Sequence, residues 1–239
     1  MSSTVDSRLP ELHHAHRDVT GGWLRPATFG VMDGLVSNFS LVAGVVGGGA
    51  PAHTVILTGL AGLAAGACSM ATGEYTSVSS QRDLAHDEIA TERRELLTNP
   101  DEELRELTLI YEDKGLRPEL AAEVAREISA QPEVAWRVHV REELGIDPDD
   151  LPSPWTAAAS SFAAFAVGAL VPLLPFFLGA VGILPALVVS ALALVVTGGG
   201  IARLTARPMW FGGRRQLLLG GLSAAVTYGV GLLVGASVS

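Results

Sequence analysis

QRDLAHDEIATERRELLTNPDEELREL, residues 81–107, opens the one strongly charged segment of an otherwise apolar chain. The segment runs from Gln81 to Asp150 and holds 20 of the 25 Asp and Glu residues against 9 of the 16 Lys and Arg. Within it Glu92 and Glu95, then Glu103 and Glu106, form two Glu-x-x-Glu pairs, and side chains three apart on a helix share a face. Four carboxylates so close together suit a bound cation. A solvated helix face, neutralised by Arg93, Arg94 and Arg105, is the plainer reading of the same residues.

Outward from this segment the sequence turns apolar in both directions. The chain is 49% hydrophobic over 239 residues, and its mean hydropathy is positive despite the polar block. That is the composition of a membrane protein. Five stretches approach the roughly 20 residues that cross a ~30 Å hydrocarbon core. They are Thr28–Gly49, Val55–Ser77, Trp155–Leu178, Ile183–Leu204 and Leu217–Ala236. The expected fold is therefore an all-α membrane protein of five transmembrane helices, with a cytoplasmic helical module inserted between the second and third. Its divisions are a tail over 1–25, two spans within 26–80, the acidic module over 81–150 and three spans within 151–239.

Orientation follows from the basic residues. Three lie in the amino-terminal tail, nine in the module and four around Arg207 and Arg214, so all sixteen fall on alternate sides of five spans. Positive charge marks the cytoplasmic side. The amino terminus and the module are expected in the cytoplasm and the carboxyl terminus outside. The first residues lack an apolar core, so no cleavable signal peptide is expected. Glu11, His13, His14 and His16 in the tail are a candidate accessory metal arm, and Trp23 a candidate interfacial anchor. The net charge of −9 argues against a nucleic-acid partner. Cys68, the single cysteine, excludes an internal disulfide framework.

The module reads as helices. The second span meets no breaker between Ser80 and Leu97, so one long helix is expected to carry Glu92 and Glu95 out of the membrane. Asn99 is a candidate cap for a helix from Pro100 to Asp113 that stops at Gly115. Arg117–Ala130 and Pro132–Leu144 form two more, the last closed by Gly145. In the spans, Gly62-x-x-x-Gly66 and Gly231-x-x-x-Gly235 allow close helix approach, within one subunit or between two. Pro172 and Pro175 should bend the third span.

Only Asp33 and Glu74 bring acid into the spans. A carboxylate at such depth needs a partner or a water-filled path. At 1.5 Å per residue Asp33 lies about 8 Å in from Thr28, and Met70 about 22 Å along from Val55, so the two share a level. A carboxylate oxygen and a thioether together suit a borderline transition metal such as ferrous iron rather than calcium or magnesium. Asn38 adds a polar step further in, and Glu74 falls near the cytoplasmic mouth. The ordinary alternatives are core filling for Met70 and interfacial snorkelling for Glu74.

Met32-Asp33-Gly34-Leu35-Val36-Ser37-Asn38, the run Gly59 to Gly66 leading to Ser69-Met70 and Gly73-Glu74-Tyr75, and the acidic insert before a third span resemble the vacuolar iron transporter family. The resemblance extends from about residue 26 to the end. It implies a homodimer that exports ferrous iron, in some members manganese, from the cytosol in exchange for protons. It sets the family's intramembrane ligands on Asp33 and Met70, and its module ligands on Glu92, Glu95, Glu103, Glu106 and Glu143. Two positions depart from the better-known eukaryotic pattern. Gly62 stands where an acid follows Gly-Leu-Ala, which leaves one carboxylate fewer on the path. His139 and Val140 stand where adjacent methionines precede the last module glutamate, and His139 is a candidate nitrogen ligand.

The expectation is thus a transporter and not an enzyme, in the inner (plasma) membrane, with divalent metal ions and protons as partners and Fe2+ or Mn2+ as substrate rather than resident cofactor. The competing reading is a membrane-anchored metal sensor or storage-related protein without transport. A di-iron oxidase is disfavoured because the insert lacks a Glu-x-x-His pair, and an acidic docking scaffold would ignore divalent cations.

Overall fold

A computed structural model describes residues 22–238, and the tail residues Glu11, His13, His14 and His16 lie outside the described residues. Nine α-helices and one 3-10 turn follow in order, with no strand among the described residues: α1 (Leu24–Gly47), α2 (Ala52–Thr98), α3 (Pro100–Asp113), α4 (Pro118–Ser129), α5 (Pro132–Glu142), α6 (Pro154–Leu170), the turn Val171–Leu173, α7 (Leu174–Phe177), α8 (Leu184–Leu204) and α9 (Met209–Val238). Five helical segments are long and apolar enough to cross a membrane: α1, α2, Pro154–Phe177, α8 and α9.

α2 runs unbroken for 47 residues. At 1.5 Å per residue that is about 70 Å, more than twice a hydrocarbon core, so its carboxyl-terminal half projects beyond the bundle. Glu92 and Glu95 ride on that projection. Arg25 at the start of α1 pairs with Glu74 at 3.1 Å, and the Tyr75 and Trp155 rings meet edge to face at 4.9 Å. The start of α1, residues 74–75 of α2 and the start of α6 therefore lie at one level, below the projecting module.

The bundle is centred on α1, which packs against α6, α9, α2 and α8. Its contact with α6 is made by glycine. A Cβ on Gly168 would stand 2.9 Å from the Leu35 nitrogen, and one on Gly34 would stand 3.0 Å from the Ala169 nitrogen. Only a hydrogen fits between backbones at that spacing. Gly231 and Gly235 close in the same way on Gly44 of α1 and on Gly48 just past its end, while Gly66 receives the Phe165 ring and Gly62 faces Leu41 and Asn38. Both Gly-x-x-x-Gly motifs thus serve packing inside one chain.

The third span breaks more sharply than a bend. α6 ends at Leu170, a 3-10 turn spans Val171–Leu173, and α7 is a single turn. Pro172 and Pro175 lack the N–H groups that a continuous helix needs there. The helix of the fifth span, α9, is longer than expected, starting at Met209 and taking in Arg214 and Arg215 ahead of the apolar run. In the module, Asn99 is the residue before α3 but makes no side-chain cap bond, and the acids Asp101, Glu102 and Glu103 of the first turn complement the helix dipole instead. Gly115 and Gly145 take positive φ, +95° and +66°, where the chain leaves α3 and passes the end of α5.

Candidate functional site

Two groups of polar side chains are assembled, one in the module and one in the bundle. In the module α2 supplies Glu92, α3 supplies Glu103, α5 supplies His139, and Glu143 follows directly after α5. One ligand atom from each of the four lies within 4.8 Å of all the others. Three of them are buried: His139 is 0%, Glu92 3% and Glu103 6% exposed. His139 Nδ1 stands 3.1 Å from Glu92 Oε1 and 3.5 Å from Glu103 Oε2. Yet these three atoms, together with His139 Nε2, have no hydrogen-bond partner.

Buried polar atoms are nearly always satisfied, because an unmade hydrogen bond costs its full desolvation. Here the unpaired oxygens and nitrogen converge on one another instead. Glu92 is pushed up to about 8, first by burial and then by the charges of Glu143 and Glu103. Glu103 and Glu143 are also raised, burial again leading. Burial lowers His139, which favours neutral imidazole, the metal-binding form. A divalent cation among these atoms would reverse each of the three acid shifts. Carboxylate oxygens with one imidazole nitrogen suit a borderline transition ion.

Glu95 and Glu106 are exposed and stand outside the four-ligand group. Their charges reach it, since Glu106 and Glu95 both raise Glu103 and Glu143. Trp136 lies under the Arg93 guanidinium at 3.9 Å, which braces α5 against α2.

In the bundle, a cleft of about 270 Å3 is lined by two stripes. α1 gives Asp33, Ser37, Asn38 and Leu41, and α2 gives Gly62, Gly66, Ser69 and Met70, with Phe165 of α6 at the back. Asp33 and Met70, which the helical rise sets at one depth, thus line one space. Met70 also packs against the buried cluster of Ala67, Phe165 and Ala169. Ser37, Ser69 and Leu41 were not singled out from sequence, although the spacing i, i+4, i+5, i+8 from Asp33 contains the first and last. Glu74 is not among the lining residues. It is 9% exposed, and its carboxylate accepts from Arg25.

The sequence profile of the VIT family matches residues 24–232, which takes in both groups of side chains. The chain belongs to the VIT family. A protein of Acanthamoeba castellanii named vacuolar iron transporter is 38% identical over 219 residues, covering 90% of this chain and 79% of the relative. Vacuolar iron transporter 1 and vacuolar iron transporter 2 of Oryza sativa subsp. japonica are each 32% identical, covering 91% of this chain and 88% and 90% of theirs. This VIT-family chain is a multi-pass membrane protein, and its similarity to these relatives spans spans and module alike.

Proposed function

We propose that this chain is a divalent transition-metal transporter that carries ferrous iron, and manganese as a second substrate, out of the cytosol in exchange for protons. The observation that carries the reading is the convergence of buried, unpartnered Glu103 and His139 atoms on Glu92 of α2, the same helix that lines the cleft of Asp33 and Met70. Relatives named vacuolar iron transporters support iron as substrate. The module collects the ion at Glu92, Glu103, His139 and Glu143, with Glu95 and Glu106 as an outer ring of attracting charge. The ion then passes to Asp33 and Met70, with Asn38 further along and Glu74 at the entrance, gated by Arg25.

The module lies in the cytoplasm in this reading, because the basic residues fall on its side of the five spans. The membrane is the inner (plasma) membrane. One chain offers a single acid among the cleft residues, too little charge for a divalent ion, and the outward-facing surface of α2 is well exposed, with Leu57 at 68%. A homodimer that brings two such clefts together supplies a second Asp33 and covers that surface.

The test is uptake of Fe2+ into proteoliposomes holding an entrapped chelating dye, with an acidic interior imposed. Gradient-driven uptake that a protonophore abolishes supports the exchanger. Fe2+ bound by the full chain without any uptake would replace it with a membrane-anchored metal sensor.

A further inference from the structure

Asn38 on α1 is 2% exposed, and its Nδ2 donates to the carbonyl oxygen of Ala169 at 2.5 Å. Ala169 stands at the end of α6, where the chain enters the 3-10 turn Val171–Leu173. In that register its carbonyl would accept from the nitrogen of Pro172, which carries no hydrogen. The donation from Asn38 fixes the amide orientation, because only the NH2 end can face a carbonyl. Its Oδ1 must therefore point the other way, and there it is buried with no partner.

What it points at is Gly62. A Cβ at that position would stand 3.1 Å from Oδ1, so a residue with any side chain would cover the oxygen. The other side-chain atom close to that position is Cδ2 of Leu41, the free end of a flexible side chain that lines the cleft with Asn38. An amide oxygen held without a partner in a polar cleft is built to accept from something that enters it.

We propose that Asn38 Oδ1, left without a covering side chain by Gly62, is a neutral oxygen ligand for the divalent cation in the cleft, one step further along it than the Asp33 carboxylate and the Met70 thioether. The inference rests on the cleft being the transport path. An uncharged oxygen strips part of the ion's hydration without adding a group that must be protonated for release. It also hardens the donor set, and carbonyl oxygen favours manganese where thioether favours softer metal. Gly62 and Asn38 together then determine how well Mn2+ competes with Fe2+.

The experiment compares Fe2+ and Mn2+ uptake kinetics in proteoliposomes for the parent, Asn38→Leu, Gly62→Ala and Asp33→Ala. Both Asn38→Leu and Gly62→Ala are expected to lower kcat/KM for Mn2+ relative to Fe2+ by about tenfold, the scale of one modest ligand contact. If Asn38 only ties down the Ala169 carbonyl, its loss slows both metals alike and Gly62→Ala keeps the parent ratio, which overturns the proposal. Gly62→Ala leaves the Asn38–Ala169 bond in place, so it decides the matter even where Asn38→Leu fails to fold. Asp33→Ala separates the two levels of inference. Flux lost in Asp33→Ala with an unchanged metal ratio in Gly62→Ala removes only the Asn38 ligand, whereas parent-like flux in Asp33→Ala removes the cleft as the path and the ligand with it.

Discussion

Metal capture by the module should be steeply pH-dependent, and Glu92 should be the main reason. Its carboxyl is held near 8 in the metal-free protein by burial and by Glu143 and Glu103. A cation binds the ionised form, so below that pH a proton must leave first. Each unit of pH below 8 then weakens binding about tenfold, or ~1.4 kcal/mol, and pH 6 lies about a hundredfold below the plateau. Glu103 and Glu143 are raised in the same direction by burial and neighbouring carboxylates, while burial pushes His139 the other way, toward its neutral form. The assay is Mn2+ binding to the full chain in detergent, read by electron paramagnetic resonance of the free ion between pH 6 and 8. Asp33→Ala serves as background so that the module dominates. Glu92→Gln should bind more weakly at pH 8 and lose about one log unit of affinity change per pH unit. Affinity that is flat from pH 6 to 8, or an unchanged slope in Glu92→Gln, would refute the reasoning.

The same shifts set the stability of the metal-free protein. A carboxyl raised above its usual 4.5 retains a proton in the folded state that the unfolded chain gives up, so stability is greatest below that value and declines as pH rises through about 8. Thermal unfolding of the metal-free chain should therefore occur at lower temperature at pH 8 than at pH 6, and Mn2+ should raise it most at pH 8. His139→Leu keeps the volume of a fully buried side chain but removes the nitrogen, and it should weaken Mn2+ binding by at least about tenfold with the helical circular dichroism unchanged. Gly168→Ala would force a methyl onto the backbone of α1 beside Val31 and Leu35, and it should lower stability by about 1–3 kcal/mol, visible as an earlier melt in detergent.

The spans were legible because a hydrocarbon core imposes a length, and the helical continuity of α2 was legible because nothing between Ser80 and Leu97 interrupts it. The break at Pro172 was visible as a bend but not as a 3-10 turn, since which carbonyls lose their partners depends on how α6 meets α1. Asn99 offered a cap that the chain does not use, because local propensity names a candidate and the backbone turn decides whether the side chain reaches.

In the module the acids were conspicuous, but their division was not. Glu92 and Glu95 share a helix face, yet only Glu92 turns inward between α3 and α5, where His139 closes the group. That inward turn is set by three helices packing at once, which spacing within one helix does not encode. The cleft followed more directly, since Asp33 and Met70 were matched by rise alone. The orientation of Asn38 was not legible, because it depends on a carbonyl 131 residues away.

The most direct measurement is Fe2+ flux through the parent and Asp33→Ala, reconstituted at equal density under the same proton gradient. Rapid uptake in the parent and loss of it in Asp33→Ala, with iron still bound by the module in both, is the predicted result. Equal flux in the two proteins would contradict a metal path through the cleft.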